Sequence, residues 1–133
     1  MVMLVAVLAF ASCASPPENR AATDASLREP TVLSGELLYE IIVGEISAQR
    51  GNTEESVSAL LRAAEMARDH RLAARATQLA VKAGKLEEAR AAAAIWIELD
   101  PDETRANDAL IRILLGLGRS EEAIERLEEI IRK

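Results

Sequence analysis

Gly51-Asn52-Thr53-Glu54-Glu55-Ser56, Gly84-Lys85-Leu86-Glu87-Glu88-Ala89 and Gly118-Arg119-Ser120-Glu121-Glu122-Ala123 are three copies of one phrase, Gly-x-x-Glu-Glu-small. The glycines stand 33 and then 34 residues apart. A period in this range marks stacked helix pairs rather than one compact core. Each part of the phrase has a physical reason. Glycine accepts the left-handed conformation that closes a helix. In the first copy Thr53 is placed to cap the helix that follows. The paired glutamates face the positive end of that helix. The small residue, Ser56, Ala89 or Ala123, falls where paired helices touch.

Working outward, the first helix is expected over 34–49, with Leu37, Leu38, Ile41, Ile42 and Ile46 at helical spacing. Later helices are expected over 71–83, 86–99, 103–117 and 120–132. Pro101 ends the fourth, because proline disfavours helical geometry in the residue before it. Asp102 is the expected cap of the fifth. The composition agrees: 25 alanines against three aromatic residues, Phe10, Tyr39 and Trp96, suit close-packed helices and argue against a sheet.

These features together resemble tetratricopeptide repeats, whose helix-turn-helix unit has 34 residues. Gly44 matches the small residue inside a first helix, and Leu99-Asp100-Pro101 matches the end of a unit. The resemblance covers residues 35–133 and implies an all-α solenoid of about three repeats, near 37–69, 70–102 and 104–133, with six antiparallel helices. Glu40, Ala73 and Asn107 replace the bulky aromatic early in each first helix, while Trp96 and Ile130 are large where Ala63 is small. The family implies a concave groove lined by first helices. On this chain the lining is Leu38, Ile41, Ile42, Glu45 and Gln49, then Arg71, Arg75, Gln78 and Lys82, then Arg105, Asp108 and Arg112. Such a groove is apolar at one end and basic over the rest, which suits an acidic or C-terminal peptide. The competing reading leaves these arginines solvated on an exposed face. Ile41 and Glu45 stand where the chaperone-tail clamp of this family has Lys and Asn, so that activity is not implied.

Two further stretches bear on place and assembly. The last helix carries Ile124, Leu127, Ile130 and Ile131 where a solenoid end needs a polar face. Either the array continues beyond Lys133 or a second copy covers that face. At the other end, Val2 to Ala11 is an uncharged apolar run too short to span a bilayer. It suits a signal segment over 1–12, and Phe10-Ala11-Ser12-Cys13 resembles the lipobox of bacterial lipoproteins. That resemblance implies acylation at Cys13, a flexible tether over 13–33 and, with Ala14 following, the periplasmic side of the outer membrane. Phe10 in place of leucine, and the lack of Lys or Arg before the run, depart from the pattern. The second departure fits a start upstream of Met1. A plain cleaved signal, or a buried apolar helix with an inert cysteine, is the bland alternative.

Other classes are disfavoured. A net charge of −6 opposes nucleic-acid binding. One cysteine and one histidine allow neither an internal disulfide nor a paired-histidine metal site. No nucleophile, base and stabiliser set stands out, so neither catalysis nor a cofactor is expected. The Glu-Glu pairs are explained by helix-start electrostatics, Trp96 reads as core, and His70 reads as a solvated turn residue. Gly116-Leu117-Gly118 lacks the third glycine and the strand of a dinucleotide fingerprint. The expected function is a membrane-anchored periplasmic scaffold or adaptor, of the kind that presents substrates to a processing protease. The alternative is an assembly factor for an envelope machine such as a pilus or secretion system.

Overall fold

A computed structural model describes residues 33–132. The apolar run, Cys13 and nearly all of the tether lie outside the described residues. Six helices and no strand are present among the described residues: α1 (Gly35–Gln49), α2 (Thr53–Ala67), α3 (His70–Lys82), α4 (Leu86–Leu99), α5 (Thr104–Gly116) and α6 (Ser120–Arg132). Connections this short make neighbouring helices antiparallel. Each helix packs on the next in sequence, and α2 also reaches α4.

The repeated phrase closes the three turns in one way. Gly51, Gly84 and Gly118 have φ of +79°, +73° and +74°. In each turn the N–H after the glycine donates back into the last helical turn, from Asn52 to Ser47, Lys85 to Ala80 and Arg119 to Leu114, all at 2.9 Å. The glycine N–H makes the shorter loop, to Ala48, Val81 and Leu115. These are the paired bonds of a Schellman closure. The α2–α3 turn uses the same two bonds, Asp69 to Ala64 and Arg68 to Glu65, with Arg68 at φ 50° in the glycine's place.

Helix starts depart from expectation in three places. Asn52, not Thr53, precedes α2 and makes no side-chain cap. The Glu55 carboxylate sits at the helix start and ties it to the end of α1, accepting from Ser47 Oγ at 2.9 Å and Asn52 Nδ2 at 3.3 Å. At α5 the cap is Glu103 rather than Asp102, with its carboxylate accepting from the Arg105 N–H. At α3, Asp69 accepts from the Arg71 N–H, so the helix starts at His70 rather than at Arg71.

The interior is built from alanine. Ala59, Ala63, Ala64, Ala73, Ala76, Ala80, Ala89, Ala92, Ala93 and Ala106 are wholly buried, and Leu60 and Trp96 supply bulk. The small residues of the phrase, Ser56, Ala89 and Ala123, are buried as expected. Gly44 lies so close to α2 that a Cβ there would meet Leu60 Cγ at 2.7 Å.

Candidate functional site

Successive first helices leave furrows between them, and their spacing follows from the small residues behind. Between α3 and α5 lies a cleft of about 500 Å³. Gln78 and Lys82 line it from α3, and Arg105, Asp108 and Arg112 from α5. These are five of the residues expected in the groove. A second cleft of about 290 Å³ lies between α1 and α3 and brings together Gln49, Arg75, Gln78 and Lys82. Gln78 and Lys82 belong to both, so α3 is the ridge between two adjoining furrows.

The electrostatics differ from a simple basic groove. Arg75 forks onto Glu45, donating from Nε and Nη2 at 3.1 Å each. The fork holds the Glu45 carboxyl below its usual value and raises Arg75. Arg71 is turned back onto the Asp69 cap and Arg105 onto the Glu103 cap, each through Nε and Nη2. Hydrogen bonding from these arginines lowers both carboxylates. Lys82 and Arg112 are the groove cations with no ion pair among the described residues. The available positive charge is therefore concentrated at the α3–α5 cleft, beside the Asp108 carboxylate.

The remaining expected residues sit elsewhere. Leu38 and Ile42 are exposed on α1, with Ile41 half-buried beside them. They lie outside both clefts. Leu33 stays exposed. Arg71 also lies outside the two clefts.

Six lining residues were not among those expected. Val81 and Ala109 lie on α3 and α5, Leu86 and Trp96 reach the cleft from α4, and Thr77 and Ile113 are largely buried members of its wall. Trp96 is in the core as expected, and its buried indole N–H has no acceptor among the described residues. Its bulk opposite the small Ala109 was the available sequence signal.

His70 is not a freely solvated turn residue. It begins α3, is half-buried, and sets Nδ1 3.5 Å from Asp100 Oδ2. Glu103 completes a group whose donor atoms lie within 4.8 Å of one another. These three could hold a cation only if Glu103 released the guanidinium of Arg105. Their place at two successive turns fits a structural clasp between helix pairs.

No family model matches the chain, and no curated protein matches it. Among the described residues, no helix is long and apolar enough to cross a membrane.

Proposed function

We propose that this protein is a tetratricopeptide-type array that holds a segment of another protein in the furrows flanking α3, and acts as a scaffold rather than as an enzyme. The observation that carries this reading is the convergence of Gln78, Lys82, Arg105, Asp108 and Arg112 on one cleft from helices far apart in sequence. Its apolar walls, Val81, Leu86, Ala109 and Ile113, suit a branched or aromatic side chain. Lys82 and Arg112 suit a neighbouring carboxylate, and Arg112 can fork onto it. The bound segment is therefore an acidic peptide with an apolar anchor residue. The lipobox-like string at Cys13 supplies the remaining part of the proposal, an acyl anchor at the periplasmic face of the outer membrane.

Trp96 lines the cleft and is the single tryptophan, so its fluorescence reports on occupancy. Titrating the protein with acidic peptides carrying one Leu, Phe or Trp-free aromatic anchor should shift that emission saturably. Arg112→Glu should weaken the binding at least about tenfold, as expected for truncating a charged contact at a hot spot. Peptides with lysine in place of the acidic residues should not bind. Equal binding of acidic and basic peptides, or indifference to Arg112→Glu, would rule the cleft out. Loss of fatty-acid labelling in Cys13→Ser tests the anchor separately.

A further inference from the structure

Along the furrows one row of equivalent positions changes charge from helix to helix. The sixth residue before each turn glycine is Glu45 on α1, Gln78 on α3 and Arg112 on α5. Gln78 and Arg112 line the α3–α5 cleft, so the row follows the face on which the furrows open. Glu45 is its acidic member. Its carboxylate lies in the fork of Arg75, which lines the α1–α3 furrow with Gln49, Gln78 and Lys82.

This fork differs from the two others in the groove. Asp69 and Glu103 hold Arg71 and Arg105 from two residues away, and both carboxylates also cap a helix by accepting from a backbone N–H. Glu45 reaches Arg75 across 30 residues, from a different helix, and accepts from no other donor among the described residues. The Arg75 and Glu45 side chains are 45% and 39% exposed, and exposed pairs of this kind contribute little to stability. α1 is held separately by the Arg62–Glu40 fork and by the close approach of Gly44 to Leu60. What the Glu45 fork changes is the charge that the furrow offers. A carboxylate seated on Arg75 is what an acidic ligand side chain would place there.

We infer that Glu45 is a built-in competitor for the acidic segment: it occupies Arg75 as a ligand carboxylate would, and so confines the acidic residues of the segment to the α3–α5 cleft. The inference rests on the peptide-binding reading of that cleft. An acidic residue that reaches the α1–α3 furrow only exchanges one carboxylate for another on Arg75. It also leaves Glu45 unpaired beside a like charge, so acidity there adds no affinity. The groove then selects by position, taking a segment that is acidic towards α5 and neutral or basic where it crosses to α1. Glu45 acts through Arg75 and is a positioning residue.

Two synthetic peptides separate the furrows, both read through the emission of Trp96 in the α3–α5 cleft. The short probe is a leucine with a single glutamate on either side, and the long probe is the same leucine with a run of glutamates on either side. A run of about four extended residues reaches about 13 Å, enough to cross a helix roughly 10 Å wide in either chain direction. The parent should bind the two probes with Kd values within about twofold of each other. Glu45→Gln should bind the long probe about three- to tenfold more tightly than the parent does, while the short probe gains less than about twofold. Glu45→Ala should show the same length-dependent gain, which sets it apart from any effect of the new amide. Glu45→Gln/Arg75→Gln should lose the gain, and Arg112→Glu should weaken both probes. A parent that already gains about tenfold from length overturns the inference. So does a Glu45→Gln gain that is absent, equal for both probes, or retained in the double variant. If short-probe binding still falls in Arg112→Glu, the cleft reading stands without the competitor. If neither probe binds the parent, both readings fall together.

Discussion

The first helix pair and the third share a turn, a phrase and a register, yet they pack to different depths. In the first, Gly44 lets α1 lie against Leu60, and Glu40 and Ser47 add contacts across the pair. In the third, the residue at the place of Gly44 is Ile111, and a cleft of about 280 Å³ opens between α5 and α6. Only Ala123 of α6 is buried. Arg126 holds the helix instead, donating to the Asn107 amide oxygen from Nε at 3.0 Å and Nη2 at 2.6 Å. The turn phrase therefore sets direction and register, while residue size at the helix crossing sets how much surface a pair buries.

Leu60 and Leu127 hold equivalent places and give the largest contrast. Leu60→Ala should cost about 3 kcal/mol, the usual loss for a leucine removed from a closed core. Leu127→Ala should cost less than about 1 kcal/mol, because that side chain is already partly in water. Urea midpoints of the two variants measure the difference. Similar losses would mean that α6 is packed as tightly as α2. Gly44→Ala comes next, at about 1–2 kcal/mol, because the methyl group meets Leu60 Cγ, which cannot swing away as a chain end could. Helix propensity pulls the other way by less than that. A melting temperature equal to that of the parent would show that α1 and α2 can slide apart freely.

The turns and helices were legible because a glycine at a helix stop and glutamates at a helix start act locally, within a few residues of sequence. The all-helical fold follows from that reading, and the five helix ranges it gave err by at most one residue at either end. Groove membership was less legible. Gln78, Lys82, Arg105, Asp108 and Arg112 do meet, since they share one face of successive first helices. The pairing of Arg75 with Glu45 depends on the spacing of α1 and α3, and the turning of Arg71 and Arg105 onto their own caps depends on rotamers. Neither is encoded in a period. The His70–Asp100 contact joins two turns distant in sequence and gave no periodic signal.

Smaller effects come from the turns, where one hydrogen-bond pattern is built on glycine within pairs and on Arg68 between the first two pairs. Gly84→Ala should cost about 1 kcal/mol, since the side chain must enter a left-handed conformation although nothing lies within 4 Å of it. Arg68→Gly should do the reverse and stabilise by about 0.5 kcal/mol, with the added freedom of the unfolded chain offsetting part of the relief. Thermal melts of the two variants should move in opposite directions. Two shifts of the same sign would mean that Arg68 makes its turn through side-chain contacts and not despite its backbone.

The smallest expected effect separates the pairs by chemistry rather than by packing. α1 is tied to its neighbours by carboxylates, Glu40 accepting from Arg62 at 2.9 and 2.8 Å and Glu45 from Arg75. α6 is tied to α5 by an arginine on an amide, which does not titrate. Hydrogen bonding from the arginines lowers Glu40 and Glu45 below their ordinary 4.5 in the folded chain. A lowered folded value means that the unfolded chain takes up protons first as pH falls. The stabilisation is complete above about pH 4.5 and is lost on acidification through the lowered values. Amide-exchange protection of α1, corrected for intrinsic rates, should be level from about pH 7 to 5 and fall below that. Protection across the α5–α6 contact should stay flat over the same range. Glu40→Gln and Glu45→Gln together should remove the pH dependence of α1 while leaving the circular dichroism spectrum intact. A fall in α1 protection already finished at about pH 5.5, or one that persists in the double variant, would assign the holding of α1 to groups other than these two carboxylates.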